Sequence, residues 1–87
     1  MRVFPTLQFV RMFDSLEHDL QEEALERIEM FKNISSHRML RVHKLRGKYK
    51  NCYAFSVNHR VRIVFEYARG TKQTVYLLAI GDHDVYR

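Results

Sequence analysis

Eighty-seven residues with one cysteine and a net charge of +5 make a single small domain, residues 1–87, that no internal disulfide can hold. A chain of this size buries only about 60–65% of its unfolded surface, but a hydrophobic share of 46% with six Phe and five Tyr still supplies a core. The longest strongly apolar run, residues 75–80, falls far short of the roughly 20 residues a membrane span needs. With no signal-peptide apolar segment and a solitary thiol, a cytoplasmic protein with no membrane contact is expected.

In chain order, residues 2–4 read as a short first strand. Thr6 is placed to cap a helix, along which Leu7, Val10, Phe13 and Leu16 recur at helical spacing. A second helix follows with Leu20, Ala24, Leu25, Ile28 and Phe31 on one face. Asp19 with Glu22 three residues on has the pattern of a capping box at its start. Residues 33–37 are a polar break, and His18 and His37 read as surface residues. Strands are then expected over residues 39–45, 52–57, 61–67 and 74–80, with turns at Arg46-Gly47 and Arg69-Gly70. The order β-α-α-β-β-β-β predicts an α+β fold: a short first strand, an antiparallel helix pair, and a four-strand antiparallel sheet.

Side-chain parity selects the loop between the second and third of those strands. If residues 58–60 form it, Val57 pairs with Val61, and Tyr53, Phe55, Val57, Val61, Ile63 and Phe65 share one face. A two-residue loop would mix Arg60 and Arg62 into that aromatic face and bury charge. The three-residue loop instead sets Arg62 opposite Ser56 on the face away from the helices and leaves His59 and Arg60 at an exposed tip.

Charge is unevenly spread. Residues 1–36 hold four Lys/Arg against seven Asp/Glu, whereas residues 37–87 hold eleven against three. Between His37 and Arg62 stand eight Lys/Arg and no acid, interleaved with histidines and aromatics, a pattern that suits a polyanion. Lys44, Arg46, Lys48, Lys50, His59 and Arg60 are the expected RNA-binding residues. The last strand runs into Gly81, and His83 and Tyr86 follow it. Imidazole, guanidinium and phenol, almost free of carboxylates, suit phosphodiester cleavage without a metal. Three acids in residues 37–87 do not build a two-metal centre, and the consecutive Asp82, His83 and Asp84 do not readily converge on one ion. No metal and no cofactor is expected. Cys52 reads as a small packing residue.

With its ordered set His43-Lys44-Leu45-Arg46-Gly47, Phe55-Ser56-Val57, Arg62-Ile63-Val64-Phe65, Ile80-Gly81-Asp82-His83 and Tyr86, the chain resembles the RelE/ParE superfamily of type II toxin–antitoxin toxins. It is most similar to the mRNA-cleaving, RelE-like branch. The resemblance implies a sheet flanked by two helices, RNA in a basic groove, and neutralisation by a cognate antitoxin. It also implies a metal-independent endoribonuclease, an mRNA interferase that cuts mRNA on the ribosome and arrests translation. Arg62 matches the strand arginine at the scissile phosphate, His83 the Arg/His position after the last strand, Tyr86 the terminal aromatic, and His43 a histidine used by some members. Ser56 stands where other members have Arg or His, and Arg60 where one branch has an acid. The His83-to-Tyr86 spacing of three is one short of the nearest pattern.

The chemistry agrees with that set. An RNA 2′-hydroxyl attacks the adjacent phosphate once a base takes its proton and an acid protonates the leaving 5′-oxygen, and histidine suits either task. Arginine stabilises the phosphoryl charge through its planar fork, and an aromatic ring stacks on a splayed base. His83, Arg62, Tyr86 and His43 are therefore the expected catalytic residues. Two other readings stand beside this one: a ParE-type gyrase inhibitor, which needs no such set, and a non-catalytic relative that only binds RNA or an antitoxin.

Overall fold

Thr6 starts the first helix in the way its position predicts. Its Oγ1 accepts from the Phe9 backbone N–H at 3.2 Å and donates to the Leu77 carbonyl at 2.8 Å, so one hydroxyl caps the helix and ties it to the last strand. The structure, a computed structural model, describes residues 1–86; Arg87 and the side chains of His83 and Tyr86 lie outside the described residues. Strand β1 (Arg2–Pro5) leads into helices α1 (Leu7–Asp14) and α2 (His18–Phe31). Strands β2 (His43–Lys44), β3 (Tyr53–Ser56), β4 (Arg62–Tyr67) and β5 (Thr74–Gly81) follow, and a short helical turn, His83–Tyr86, comes after β5. The fold is α+β, as expected, with both helices on one face of the sheet.

The sheet order is β1-β5-β4-β3-β2. The four later strands are antiparallel, and β1 adds a fifth by pairing parallel to β5, with Val3 beside Val75. The three-residue hairpin loop holds: Ser56 pairs with Arg62, Phe55 with Ile63, and the Val57 N–H donates to the Val61 carbonyl at 2.9 Å. A bulge after Val64 breaks the alternation, so that Val64 pairs with Ala79 but Phe65 with Leu77. It turns both Leu77 and Ile80 to the helix face and still brings Gly81 opposite Arg62.

Four expectations need correction. Residues 39–45 do not form one strand; only His43 and Lys44 pair with β3. Residues 37–41 are turns instead, because the Ser36 and His37 carbonyls take the N–H groups of Leu40 and Val42, and Arg41 adopts a left-handed conformation with φ 59°. No capping box forms at α2: Glu17 occupies the N-cap without a side-chain bond, Asp19 lies within the first turn, and Glu22 pairs with His18 at 2.9 Å. His37 is half-buried rather than a surface residue. It stacks on Phe31 at 4.7 Å, and its Nε2–H donates to the Phe31 carbonyl at 2.7 Å. Leu25 also leaves the predicted apolar stripe, lying 54% exposed one step around α2 from the buried Ala24.

The main core lies between helices and sheet. Phe31, at the end of α2, stacks on Phe55 at 4.3 Å and meets Phe65 at 4.7 Å, which seats the helix across β3 and β4. The opposite face has a smaller cluster of Leu45, Ala54, Val64 and Ala79, with Tyr49, Cys52 and Val85 packed around it.

Candidate active site

The hairpin loop is shaped by its first residue. Asn58 Oδ1 accepts from the backbone N–H of Arg60 at 2.8 Å and of Val61 at 2.9 Å, an Asx turn that closes the loop. The loop delivers Arg62 as the first residue of β4, half-buried and flanked by Ser56 and Gly81. Its Nη1 donates to the carbonyls of Asn58 at 2.6 Å and Val61 at 3.2 Å. Both Nη1 hydrogens are thereby engaged, and the Nε and Nη2 edge keeps three donors. Among the described residues no carboxylate pairs with Arg62. Arg62 borders a cleft of about 550 Å³ with Arg27, Arg41, Ser56 and His59, and Glu26 also lines it.

His43 sits on β2 opposite Ala54. Its Nδ1 lies 2.9 Å from the carbonyl of Arg41. A carbonyl only accepts, so Nδ1 carries the hydrogen, and in the neutral ring the lone pair is on Nε2. The left-handed Arg41 thus aims the carbonyl that sets the imidazole tautomer. By register His43, Ala54, Ser56 and Arg62 share the face away from the helices. Two strand spacings and two residues of rise put the His43 and Arg62 Cα atoms roughly 12 Å apart.

The turn after β5 folds back over that same face. Asp82 Oδ1 accepts from the Asp84 N–H at 2.9 Å, the Asp82 carbonyl takes the Val85 N–H at 2.9 Å, and Val85 packs on the Leu45, Ala54, Val64 and Ala79 cluster. The backbone at His83 and Tyr86 therefore lies on the side of the sheet that carries Arg62 and His43, while the expected roles of those two side chains fall outside the described residues.

The predicted RNA-binding residues divide. Arg46, Lys48 and Lys50 surround the short turn Gly47–Tyr49, whose Tyr49 packs on the same small cluster, and Lys48 Nζ stands 5.3 Å from the Tyr49 ring centre. His59 and Arg60 are exposed at the hairpin tip. Lys44 alternates to the other face: it pairs with Tyr53 and borders a separate cleft of about 490 Å³ with Tyr67 and Lys72. Burial, and secondarily the charge of Glu66, pushes the Cys52 thiol above its ordinary pKa, which keeps it a neutral packing group. Sequence reading missed Asn58 and Glu23, whose side chains bond at 2.7 Å across 35 positions. An Asn opening a hairpin loop was a visible turn signal, but nothing local marks its partner.

No model of a known protein family matches the sequence, and no curated protein matches it. Solved structures do. A conserved hypothetical protein of Helicobacter pylori matches with a TM-score of 0.74 at 17% identity, over 98% of this chain and 97% of its own. A chain of the archaeal RelE–RelB complex of Pyrococcus horikoshii gives 0.70 at 18%, over 93% and 92%. A YoeB/ParE toxin of Agrobacterium tumefaciens gives 0.67 at 14%, over 95% and 99%. The chain has the RelE-like α+β fold. Its structural neighbours include RelE, YoeB and ParE toxins of toxin–antitoxin systems, several of them in complex with their antitoxins.

Proposed function

We propose that this protein is the toxin of a toxin–antitoxin pair, a metal-independent endoribonuclease that cleaves mRNA on the ribosome in the cytoplasm. The observation that carries the reading is the anchored guanidinium of Arg62. Its Nη1 is fixed to two carbonyls, and the remaining fork meets the non-bridging oxygens of a phosphate in the bidentate geometry arginine favours. His43, its ring oriented by the Nδ1–H bond to the Arg41 carbonyl, takes the 2′-hydroxyl proton in this reading. The O2′–P bond forms as the P–O5′ bond breaks, His83 protonates the leaving oxygen, and Tyr86 stacks on a neighbouring base. The products are a 2′,3′-cyclic phosphate and a 5′-hydroxyl. Arg46, Lys48 and Lys50 rim the face and hold the RNA backbone, joined by His59 and Arg60 at the tip. The same basic surface receives an acidic antitoxin segment, in line with the antitoxin complexes among the neighbours.

Primer extension on transcripts after induction is expected to give new cleavage ends, and cleavage is expected to persist in EDTA when ribosome integrity is maintained. Intact transcripts beside trapped gyrase–DNA complexes would replace this reading with the ParE-type one. Intact transcripts without them would leave a binding-only relative.

A further inference from the structure

The loop that carries Arg62 is tied to α2 by a single side-chain bond. Asn58 Nδ2 donates to Glu23 Oε1 at 2.7 Å, and among the described residues no other side-chain hydrogen bond joins residues 58–60 to a helix. The orientation of the amide is unambiguous. A carboxylate only accepts and a backbone N–H only donates, so Nδ2 must face Glu23 while Oδ1 faces Arg60 and Val61. The main-chain carbonyl of the same Asn58 is the nearer of the two that hold Arg62 Nη1, at 2.6 Å. Glu23 is set in turn from α2, with Arg27 Nη2 at 4.0 Å from its other oxygen. One line of polar contacts therefore runs from the helix layer to the guanidinium: Arg27, Glu23, Asn58, Arg62. Glu23 and Asn58 are both half-buried.

We propose that Glu23 and Asn58 are a positioning pair that holds the hairpin tip, and with it the Arg62 fork, in place before substrate arrives. The inference rests on the reading that Arg62 meets the scissile phosphate. A flexible arginine on an untethered loop would have to be ordered during the reaction. A tethered one has its orientation set in advance, and fixed donors act on developing charge without reorganising.

Asn58→Asp separates the two tasks of the side chain. It keeps an oxygen for the Arg60 and Val61 N–H groups but sets a second carboxylate against Glu23, which opens the tether. Single-turnover cleavage at saturating RNA is expected to fall by about 10–100-fold, the scale of a small misplacement of a catalytic group. RNA affinity is expected to change by only a few-fold. Glu23→Gln alone still accepts from Asn58 and is expected to cleave near the wild-type rate. The double variant Asn58→Asp with Glu23→Gln has the net charge of the wild type. The amide introduced at position 23 donates to the carboxylate introduced at position 58, so the bond returns with its direction reversed and the cleavage rate is expected to recover. Glu23→Ala opens the tether from the helix side without touching the loop and is expected to lower the rate like Asn58→Asp, which tests the idea even if the loop variant does not fold. A wild-type rate in folded Asn58→Asp or Glu23→Ala, or a folded double variant that stays impaired, overturns the inference. Arg62→Ala assayed in parallel separates the two ideas. If it cleaves at the wild-type rate, the cleavage reading itself fails; if it is impaired while Asn58→Asp is not, only the positioning pair fails.

Discussion

The two faces of the sheet are built from different side chains. The helix side packs Phe31, Phe55 and Phe65 ring on ring, with Ile63, Leu77 and Ile80 around them. The far side sets Ala54, Val64 and Ala79 in corresponding positions, beneath Leu45 and Val85. Large rings fill the volume between layers and supply most of the stabilising burial. Small residues leave the far face low, so that the turn after β5 lies against the sheet, while Arg62 and His43 rise from its neighbouring positions. The core rings and the proposed catalytic side chains thus lie on opposite faces of the same strands, one residue apart in sequence.

The comparison breaks hardest at Phe31. Phe31→Ala is expected to cost about 3–5 kcal/mol, a large part of the roughly 4–13 kcal/mol that a domain of this length holds. Urea denaturation reads that loss directly, and the cleavage rate per folded molecule is expected to stay near wild type. A large rate loss in the folded fraction would mean that the helix-side core sets the site geometry as well.

Arg62→Ala is the mirror experiment. Removal of one fixed donor from a developing oxyanion costs on the order of 10²–10³ in rate, whereas freeing two half-exposed carbonyls is expected to cost only about 1 kcal/mol of stability. Single-turnover cleavage and urea melts on the same preparation separate the two numbers. A wild-type rate removes Arg62 from the site.

The division between faces was legible where alternation was local and charge had to stay out of the core. Tyr53, Phe55, Val57, Ile63 and Phe65 on one side, and Arg62 opposite Ser56 on the other, follow from a three-residue loop. It was not legible where one residue left the regular pattern. Arg41 in a left-handed conformation ends any strand through residues 39–45, yet that same Arg41 orients His43. The bulge after Val64 shifts parity in β5 without a glycine to announce it. Contacts across long separations were hidden too. Val3 beside Val75, and Asn58 bonded to Glu23, depend on how layers stack, and no window of sequence contains both partners.

A smaller effect sharpens the same boundary among the lysines. Lys48 belongs to the loop whose Tyr49 packs on the far face, while Lys44 pairs with Tyr53 and belongs to the helix side. Lys48→Ala is expected to weaken RNA binding and lower the slope of log affinity against log salt by about 1, so the deficit is largest at low salt. Lys44→Ala is expected to change less. Equal losses from both would mean that RNA wraps the β2 edge onto the helix side.

The smallest effect is a pair of alkaline transitions, one from each face. Cys52, on the far side, has its pKa raised from an ordinary 9.0 by burial and then by the charge of Glu66. Over the window between 9.0 and the raised value, the folded protein keeps a proton that the unfolded chain has released. The folded state therefore binds more protons there, and stability falls as pH rises, after being fully present below pH 9. Tyr67, on the helix side, is raised from 10.0 by burial and then by Tyr53, so its loss begins higher and runs in the same direction. Urea midpoints taken stepwise from pH 8 upward are expected to decline in two stages. Cys52→Ala is expected to remove the first and leave the second, and Tyr67→Phe the reverse. If the first stage survives in Cys52→Ala, the thiol is not what the far face loses at high pH, and the packing cluster around it is more open to water than Ala54, Val64 and Ala79 imply.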